Sequence, residues 1–210
     1  MDPLSLFSGI TAQQQQQMEQ CFHPVRAAFE AGETIMSYAS APVRLGTLLD
    51  GRAHLSSMDA EGRESRLEEL EQGDVFGEMF ILPLDNQDYR VEADTGCQVM
   101  FIDYAHLIKR CANACPHHSQ LVDNLFQITA RKTQSMAMHI HVLSQRSLRQ
   151  KLTAYFSFQQ LLAGSSSFTL PLSYRALADY LGVDRSAMTR ELSKMKREGL
   201  LTAHGRKITL

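Results

Sequence analysis

Between Pro116 and Gly164 the chain contains neither proline nor glycine. A stretch of roughly 47 residues lacking both helix breakers has one ready solution, long α-helix. Within it Leu121, Leu125, Ile128, Met136, Ile140 and Leu143 recur at mostly three- and four-residue intervals, with Lys132 interrupting the same stripe. So narrow a stripe suits either a partner helix or the chain's own body. A helix of this length between two unlike halves favours pairing, and hence a homodimer. A second helix, residues 148–163, is expected to turn Leu152, Tyr155, Phe156, Gln159 and Leu162 inward and to stop at Gly164-Ser165-Ser166-Ser167.

Upstream the texture is different. The first 30 residues, with Gln13 to Gln17 ahead of Met18, Cys21 and Phe22, read as a short polar helix. From Gly32 to Tyr104 short segments alternate with Asp50-Gly51, Glu61-Gly62 and Gln72-Gly73-Asp74, a turn spacing that marks a sandwich or barrel of antiparallel strands. Residues 53–58 and 65–70 form a hairpin about Ala60-Glu61-Gly62-Arg63, where Gly62 supplies positive φ.

Downstream, Ser173 is a good N-cap for a helix through Tyr180 that stops at Gly182. Asp184 caps another from Arg185 to about Arg197, ended by Gly199. Two helices joined by Leu181-Gly182-Val183 are the pattern of a helix-turn-helix. Counting about 100° per residue from Arg185, Met188, Leu192 and Met195 fall at about 300°, 340° and 280°, one apolar face. Arg185, Thr189, Ser193, Ser186 and Arg190 fall on the opposite side. That outer face carries the chemistry of major-groove reading, since a guanidinium donates two parallel hydrogen bonds to guanine O6 and N7. Residues 200–210 then read as a hairpin wing whose tip, His204, Arg206 and Lys207, suits phosphate. The candidate DNA-facing set also includes Ser173, Tyr174 and Arg175, where the first helix begins.

Charge divides the same way. Residues 1–145 hold 10 Lys+Arg against 19 Asp+Glu, and residues 146–210 hold 11 against 4, so a net charge of -2 conceals halves of -9 and +7. A basic tail on an acidic body points to a polyanion partner for the tail. A hydrophobic content of 44% supports real cores, and 210 residues fit two domains. No apolar run is long enough to span a membrane, and Met1-Asp2-Pro3-Leu4 lacks the basic region followed by an apolar run that marks a signal peptide, so the expectation is a cytoplasmic protein with reduced cysteines. No nucleophile elbow, phosphate loop or histidine-glutamate metal motif is present, and no enzyme is expected.

These residues resemble the bacterial cyclic-AMP receptor protein and fumarate-nitrate regulator (Crp/Fnr) family over nearly the whole chain. The resemblance rests on Gln72-Gly73-Asp74-Val75-Phe76-Gly77-Glu78, with Ala31-Gly32-Glu33, Leu49-Asp50-Gly51 and Glu61-Gly62-Arg63, and on Leu177-Ala178-Asp179-Tyr180-Leu181-Gly182-Val183-Asp184-Arg185-Ser186 and Thr189-Arg190-Glu191-Leu192. It implies an α+β protein: an N-terminal β-roll (a double-stranded β-helix of cyclic-nucleotide-binding type, residues 1–115), a long dimerisation helix (116–145) and a C-terminal winged helix-turn-helix (146–210). It further implies a homodimer on double-stranded DNA with palindromic half-sites, and RNA polymerase as partner of an activator. Arg185, Ser186, Thr189 and Arg190 match the family's base-reading positions, with Ser186 where glutamate is usual.

For the effector, the resemblance gives Phe76, Gly77, Glu78, Gln87, Asp88 and Arg90 as candidate pocket residues. The arginine and the following hydroxyl residue that hold a cyclic phosphate in the family fall here on Gln87 and Asp88, which disfavours a cyclic nucleotide. Arg90 lies three residues away, and a strand reverses face at odd offsets. Cys111, Cys115 and His118 offer thiolate and imidazole ligands for a metal or a redox pair, and equally suit plain packing. Met136, Met138, His139 and His141 invite a haem reading or a helix core. The alternative function is therefore a ligand-binding or thiol-based redox, metal or haem sensor that does not act on DNA.

Overall fold

The computed structural model describes residues 5–38, 43–82, 88–108 and 116–210. They form two compact units, Met1–Arg131 and Lys132–Leu210, whose boundary falls inside the long helix.

The first unit opens with α1 (Ala12–Phe22), capped reciprocally by Thr11 and Gln14, which buries Met18 and Phe22. Eight strands follow: β1 (Val25–Phe29), β2 (Thr34–Ser37), β3 (Arg44–Asp50), β4 (Ala53–Met58), β5 (Glu64–Leu70), β6 (Val75–Phe76), β7 (Asp88–Ala93) and β8 (Cys97–Asp103). They pair antiparallel into two sheets, ordered β1-β8-β3-β6 and β2-β7-β4-β5. Alternation decides what each face meets. Leu48, Val99 and Phe101 of the first sheet face Leu55, Val91 and Ala93 of the second in one apolar core. Leu45, Met100 and Ile102 point the other way, onto α1, the short α2 (Tyr104–Ile108) and the first half of α3 (Pro116–Leu143). The β4–β5 hairpin turns where the sequence places it, with Gly62 at φ 77°. Cys97 is a buried thiol donating to the Arg52 and Thr95 carbonyls, and burial raises its pKa.

The second unit contains the end of α3, then α4 (Leu148–Ala163), β9 (Ser167–Thr169), α5 (Tyr174–Leu181), α6 (Arg185–Arg197), β10 (Thr202–His204) and β11 (Lys207–Thr209), the three strands forming a sheet ordered β10-β11-β9. Ser147 and Gln150 cap α4 reciprocally. Leu152, Tyr155 and Phe156 of α4 are buried against Leu177, Leu181 and Ile208. Leu162, expected on this inner face, is instead 65% exposed, and Gln159 is only half-buried, because α4 runs on past the core at its C-terminal end. The Tyr155 hydroxyl is buried with no hydrogen-bond partner among the described residues. Tyr155→Phe removes an unsatisfied donor without changing the ring, so thermal unfolding should show this unit unchanged or stabilised by up to about 1 kcal/mol.

The apolar stripe of α3 is not one face. Leu121 and Ile128 are buried and Leu125 half-buried against the first unit, as is Asn124, which donates to the Leu6 and Ser8 carbonyls. Met136, Ile140 and Leu143 are exposed. The exposed row that includes them is Val122, Phe126, Thr129, Thr133, Met136, Ile140 and Leu143, at alternating spacings of four and three. Two rows starting at adjacent residues lie about 100° apart, and steps of three and four cross from one to the other over a helix of this length. No described helix is long and apolar enough to cross a membrane.

Candidate nucleic-acid interface

The second unit presents α6 on a frame set by local sequence. Ser173 accepts from the Ala176 amide to start α5, which ends at Gly182, in the left-handed region at φ 61°. That conformation is the reason a glycine stands in the turn. The Lys151 ammonium donates to the Leu181 carbonyl, satisfying one of the free acceptors at the end of α5. Asp184 then caps α6, accepting from the Ala187 amide at 2.9 Å.

Met188, Leu192 and Met195 are buried on the inner face of α6, and Arg185, Ser186, Thr189, Arg190 and Ser193 are exposed on the outer one. The outer residues are ordered by one another. Ser186 Oγ donates to Asp184 at 2.5 Å and accepts from Arg190 at 3.1 Å, so a carboxylate, a hydroxyl and a guanidinium form one chain along the first turns. The Ser186 hydroxyl, followed by the Ala187 amide, holds the Asp184 carboxyl below its ordinary range. A depressed pKa contributes stability above the unfolded value that is lost as pH falls through the folded one, so this cap is complete at neutral pH. Thr189 and Ser193 donate to the carbonyls one turn back, leaving their oxygen lone pairs outward as acceptors.

Two further contacts fix α6 that its own sequence does not signal. Arg149 of α4 donates to Glu191 at 2.6 Å and to both oxygens of Glu198 at 2.6 and 3.2 Å. Glu198, then Glu191, holds the guanidinium more firmly in its charged form. Lys196 donates to the Ala203 carbonyl of β10. In the wing, β10 and β11 pair antiparallel around Gly205 and Arg206, and the Tyr174 hydroxyl donates to the Gly205 carbonyl at 2.6 Å. His204, Arg206, Lys207 and Arg175 are exposed. Tyr174 thus ties the start of α5 to the wing tip.

In the first unit the structure describes five of the six candidate effector residues. Phe76 is buried in the core between the sheets, its ring against the backbone of Gly46. Gly77 sits at φ 92° with the space for a Cβ filled by the Arg44 carbonyl at 2.6 Å, so its glycine is required by the turn itself. Glu78 begins a 3-10 turn through Ile81. Gln87 lies outside the described residues. Asp88 and Arg90 occupy the face of β7 opposite Val91 and Ala93, and Arg90 is closed by Asp88 at 2.8 Å and Glu92 at 3.3 Å.

Of the ligand candidates, Cys111 and Cys115 lie outside the described residues. His118 directs Nε2 to the Leu107 carbonyl at 2.6 Å and packs on Phe22. His139 stacks on Tyr180 at 3.8 Å and donates to the Tyr180 carbonyl at 2.7 Å, which gives it a structural role in the second unit.

Comparison with known proteins divides the chain in the same two parts. Residues 26–114 match the cyclic nucleotide-binding domain, and residues 141–210 the Crp-like helix-turn-helix domain. Among curated proteins the chain is similar to the probable transcriptional regulator flp of Lacticaseibacillus casei, at 26% identity over 86% of this chain and 80% of that one. It is also similar to the nitrogen fixation regulation protein FixK of Bradyrhizobium diazoefficiens, at 25% identity over 86% and 76%. Among solved structures, OCPA-complexed CprK has the same fold, with a TM-score of 0.70 at 15% identity, covering 93% of this chain and 91% of that one.

Proposed function

The chain belongs to the Crp/Fnr family of transcription regulators, and from that premise we propose how this member engages DNA: as a homodimer on a palindromic operator, each α6 reading one half-site. Like other members it is a DNA-binding regulator joining a domain of cyclic-nucleotide-binding type to a helix-turn-helix. As a regulator it acts by binding rather than by catalysis, in the cytoplasm with the chromosome.

The observation that carries this reading is the ordered outer face of α6. The Asp184–Ser186–Arg190 chain restrains Arg190 before DNA arrives, which lowers the entropy lost when its guanidinium takes a guanine edge. Arg185, Ser186 and Thr189 flank it on the same face. Thr189, with its donor turned to the Arg185 carbonyl, offers an acceptor and a methyl group, suited to an amino group or a thymine methyl. His204, Arg206 and Lys207 on the wing, with Ser173, Tyr174 and Arg175 at the start of α5, take the phosphates on either side. Half-sites about 34–36 Å apart would bring both copies of α6 to one side of the duplex. RNA polymerase is the further partner wherever this regulator activates.

The exposed row on α3 supports the dimer. Val122, Phe126, Thr129, Thr133, Met136, Ile140 and Leu143 repeat every three and four residues, the spacing of a two-helix seam, and Phe126 and Ile140 are 72% and 68% exposed. Large apolar side chains in such a row mark an interaction surface.

Sensing is assigned to the roll, yet its residues do not fit a cyclic nucleotide. Between Gln72 and Met100 the only cation is Arg90, and it is neutralised by Asp88 and Glu92 on the face turned away from the apolar core. A cyclic phosphate there would have to displace two carboxylates. Phe76, Gly77 and Glu78 remain the candidate effector contacts.

Arg190→Ala tests the reading helix. Fluorescence anisotropy on a selected operator should show a loss of about 1–3 kcal/mol and relaxed preference at one base position per half-site. Lys207→Ala should instead weaken all sequences alike and flatten the salt dependence. Unchanged operator affinity in Arg190→Ala would remove that side chain from the reading role.

A further inference from the structure

We propose that the outer face of the second sheet is a binding site for a divalent transition-metal ion, held by His54, Glu64 and Glu92. The three residues come from three strands. His54 of β4 stands opposite Glu92 of β7 in the antiparallel register, and Glu64 begins β5. His54 faces away from the apolar core yet its side chain is only 5% exposed, an unusual depth for an imidazole on the outside of a sheet.

The donor inventory around that ring carries the proposal. His54 Nδ1 lies 3.1 Å from Asp94 Oδ1, while Nε2 lies 3.1 Å from Glu64 Oε1 and 3.8 Å from Glu92 Oε2. A neutral imidazole has one N–H. When that proton is given to Asp94, Nε2 and the two carboxylate oxygens converge as three lone-pair donors on one point, where a metal ion competes with the proton that Nε2 otherwise shares with Glu64. The three ligand atoms lie within 4.8 Å of one another. Metal bonds of about 2.0–2.2 Å at tetrahedral angles separate ligands by about 3.3–3.6 Å, a value the 3.1 and 3.8 Å spacings bracket.

The surroundings match a metal site rather than a chance pair. A histidine ligand ordinarily donates its second nitrogen to a carboxylate, as His54 does to Asp94, which fixes the ring and its tautomer. Asp94 is held by Arg66 at 2.9 Å, and Glu92 gives one oxygen to Arg90 while the other faces His54. Ser56 stands on the same face of β4, 1% exposed, and after the His54 ring its hydroxyl holds the Glu64 carboxyl below its ordinary range. One imidazole with two carboxylates suits Zn²⁺ or Mn²⁺ better than Ca²⁺ or Mg²⁺, which take oxygen alone, or Cu⁺, which takes sulfur. The ion would fasten the β5 edge strand to the two strands beside it.

The test uses the full chain, stripped with chelator and titrated with ZnCl2 and with MnCl2 by calorimetry. One ion per chain is expected, with a higher unfolding temperature of the first unit and an X-ray absorption spectrum showing imidazole and oxygen ligands and no sulfur. Glu64→Gln, on an exposed edge strand, and Glu92→Gln should each weaken binding by at least roughly tenfold, with circular dichroism confirming that both variants fold. Failure to bind either ion overturns the proposal, as does binding that both variants retain. Sulfur ligation would move the ion to the cysteines and overturn it equally. So would nitrogen NMR showing two N–H protons on His54 in the presence of Zn²⁺, the signature of a histidine shared between carboxylates.

Discussion

Placing glutamate at both Phe126 and Ile140 of α3 is expected to split the protein into monomers and to lower operator affinity by about 10²–10⁴-fold, the range by which a linked second site strengthens a first. Both side chains are mostly exposed, so the substitutions remove little from the core of either unit, and surface changes of this kind ordinarily shift stability by no more than about 0.5 kcal/mol. At a two-helix seam the same changes bury four carboxylates against one another, which no such interface tolerates. Sedimentation should show a species near the 23.6 kDa of one chain, and anisotropy should show binding to a single half-site equal to that of the unaltered protein. A variant that sediments as a dimer and holds the full operator normally would move the interface off this row. The corresponding change at Leu121, which is fully buried against the first unit, should unfold that unit instead, so the pair of experiments separates the two faces of one helix.

Phe156→Ala is expected to destabilise the second unit by about 3–5 kcal/mol. Phe156 is fully buried in the core that joins α4, the α5–α6 pair and the wing, in ring contact with Tyr155 and Phe168. Truncation leaves a cavity that the surrounding rings cannot fill without leaving their rotamers. Against a total stability of about 5–15 kcal/mol for a domain, a loss of that size removes much of the margin. Calorimetry should show an early transition for this unit while that of the first keeps its midpoint, and operator binding should fail at a temperature where the unaltered protein still binds. Coincident shifts of both transitions would mean that the units do not unfold independently.

The helix-turn-helix was readable almost residue by residue because its signals are local. Ser173, Gly182 and Asp184 act on amides and dihedrals within four residues, and the burial of Met188, Leu192 and Met195 follows from helical periodicity. The roll was readable in its turns and in one hairpin but not in the pairing of its strands, since a hairpin announces its own turn while β1 pairs with β8 across some seventy residues. The same distance hid Arg149, whose partners Glu191 and Glu198 lie 42 and 49 residues on.

By itself, then, the sequence determined that a long helix follows a β-roll and precedes a winged helix-turn-helix, and which face of α6 is polar. These follow from spacing, capping and breakers that act within a few residues. Only the tertiary structure decided that the α3 stripe divides between a buried row and an exposed one, because neighbouring rows on a helix share steps of three and four and differ only in what packs on them. It alone decided that Arg90 is spent on Asp88 and Glu92, and that His54 meets Glu64, Glu92 and Asp94. Those contacts are made by strand register, which brings together residues that no short window of sequence contains.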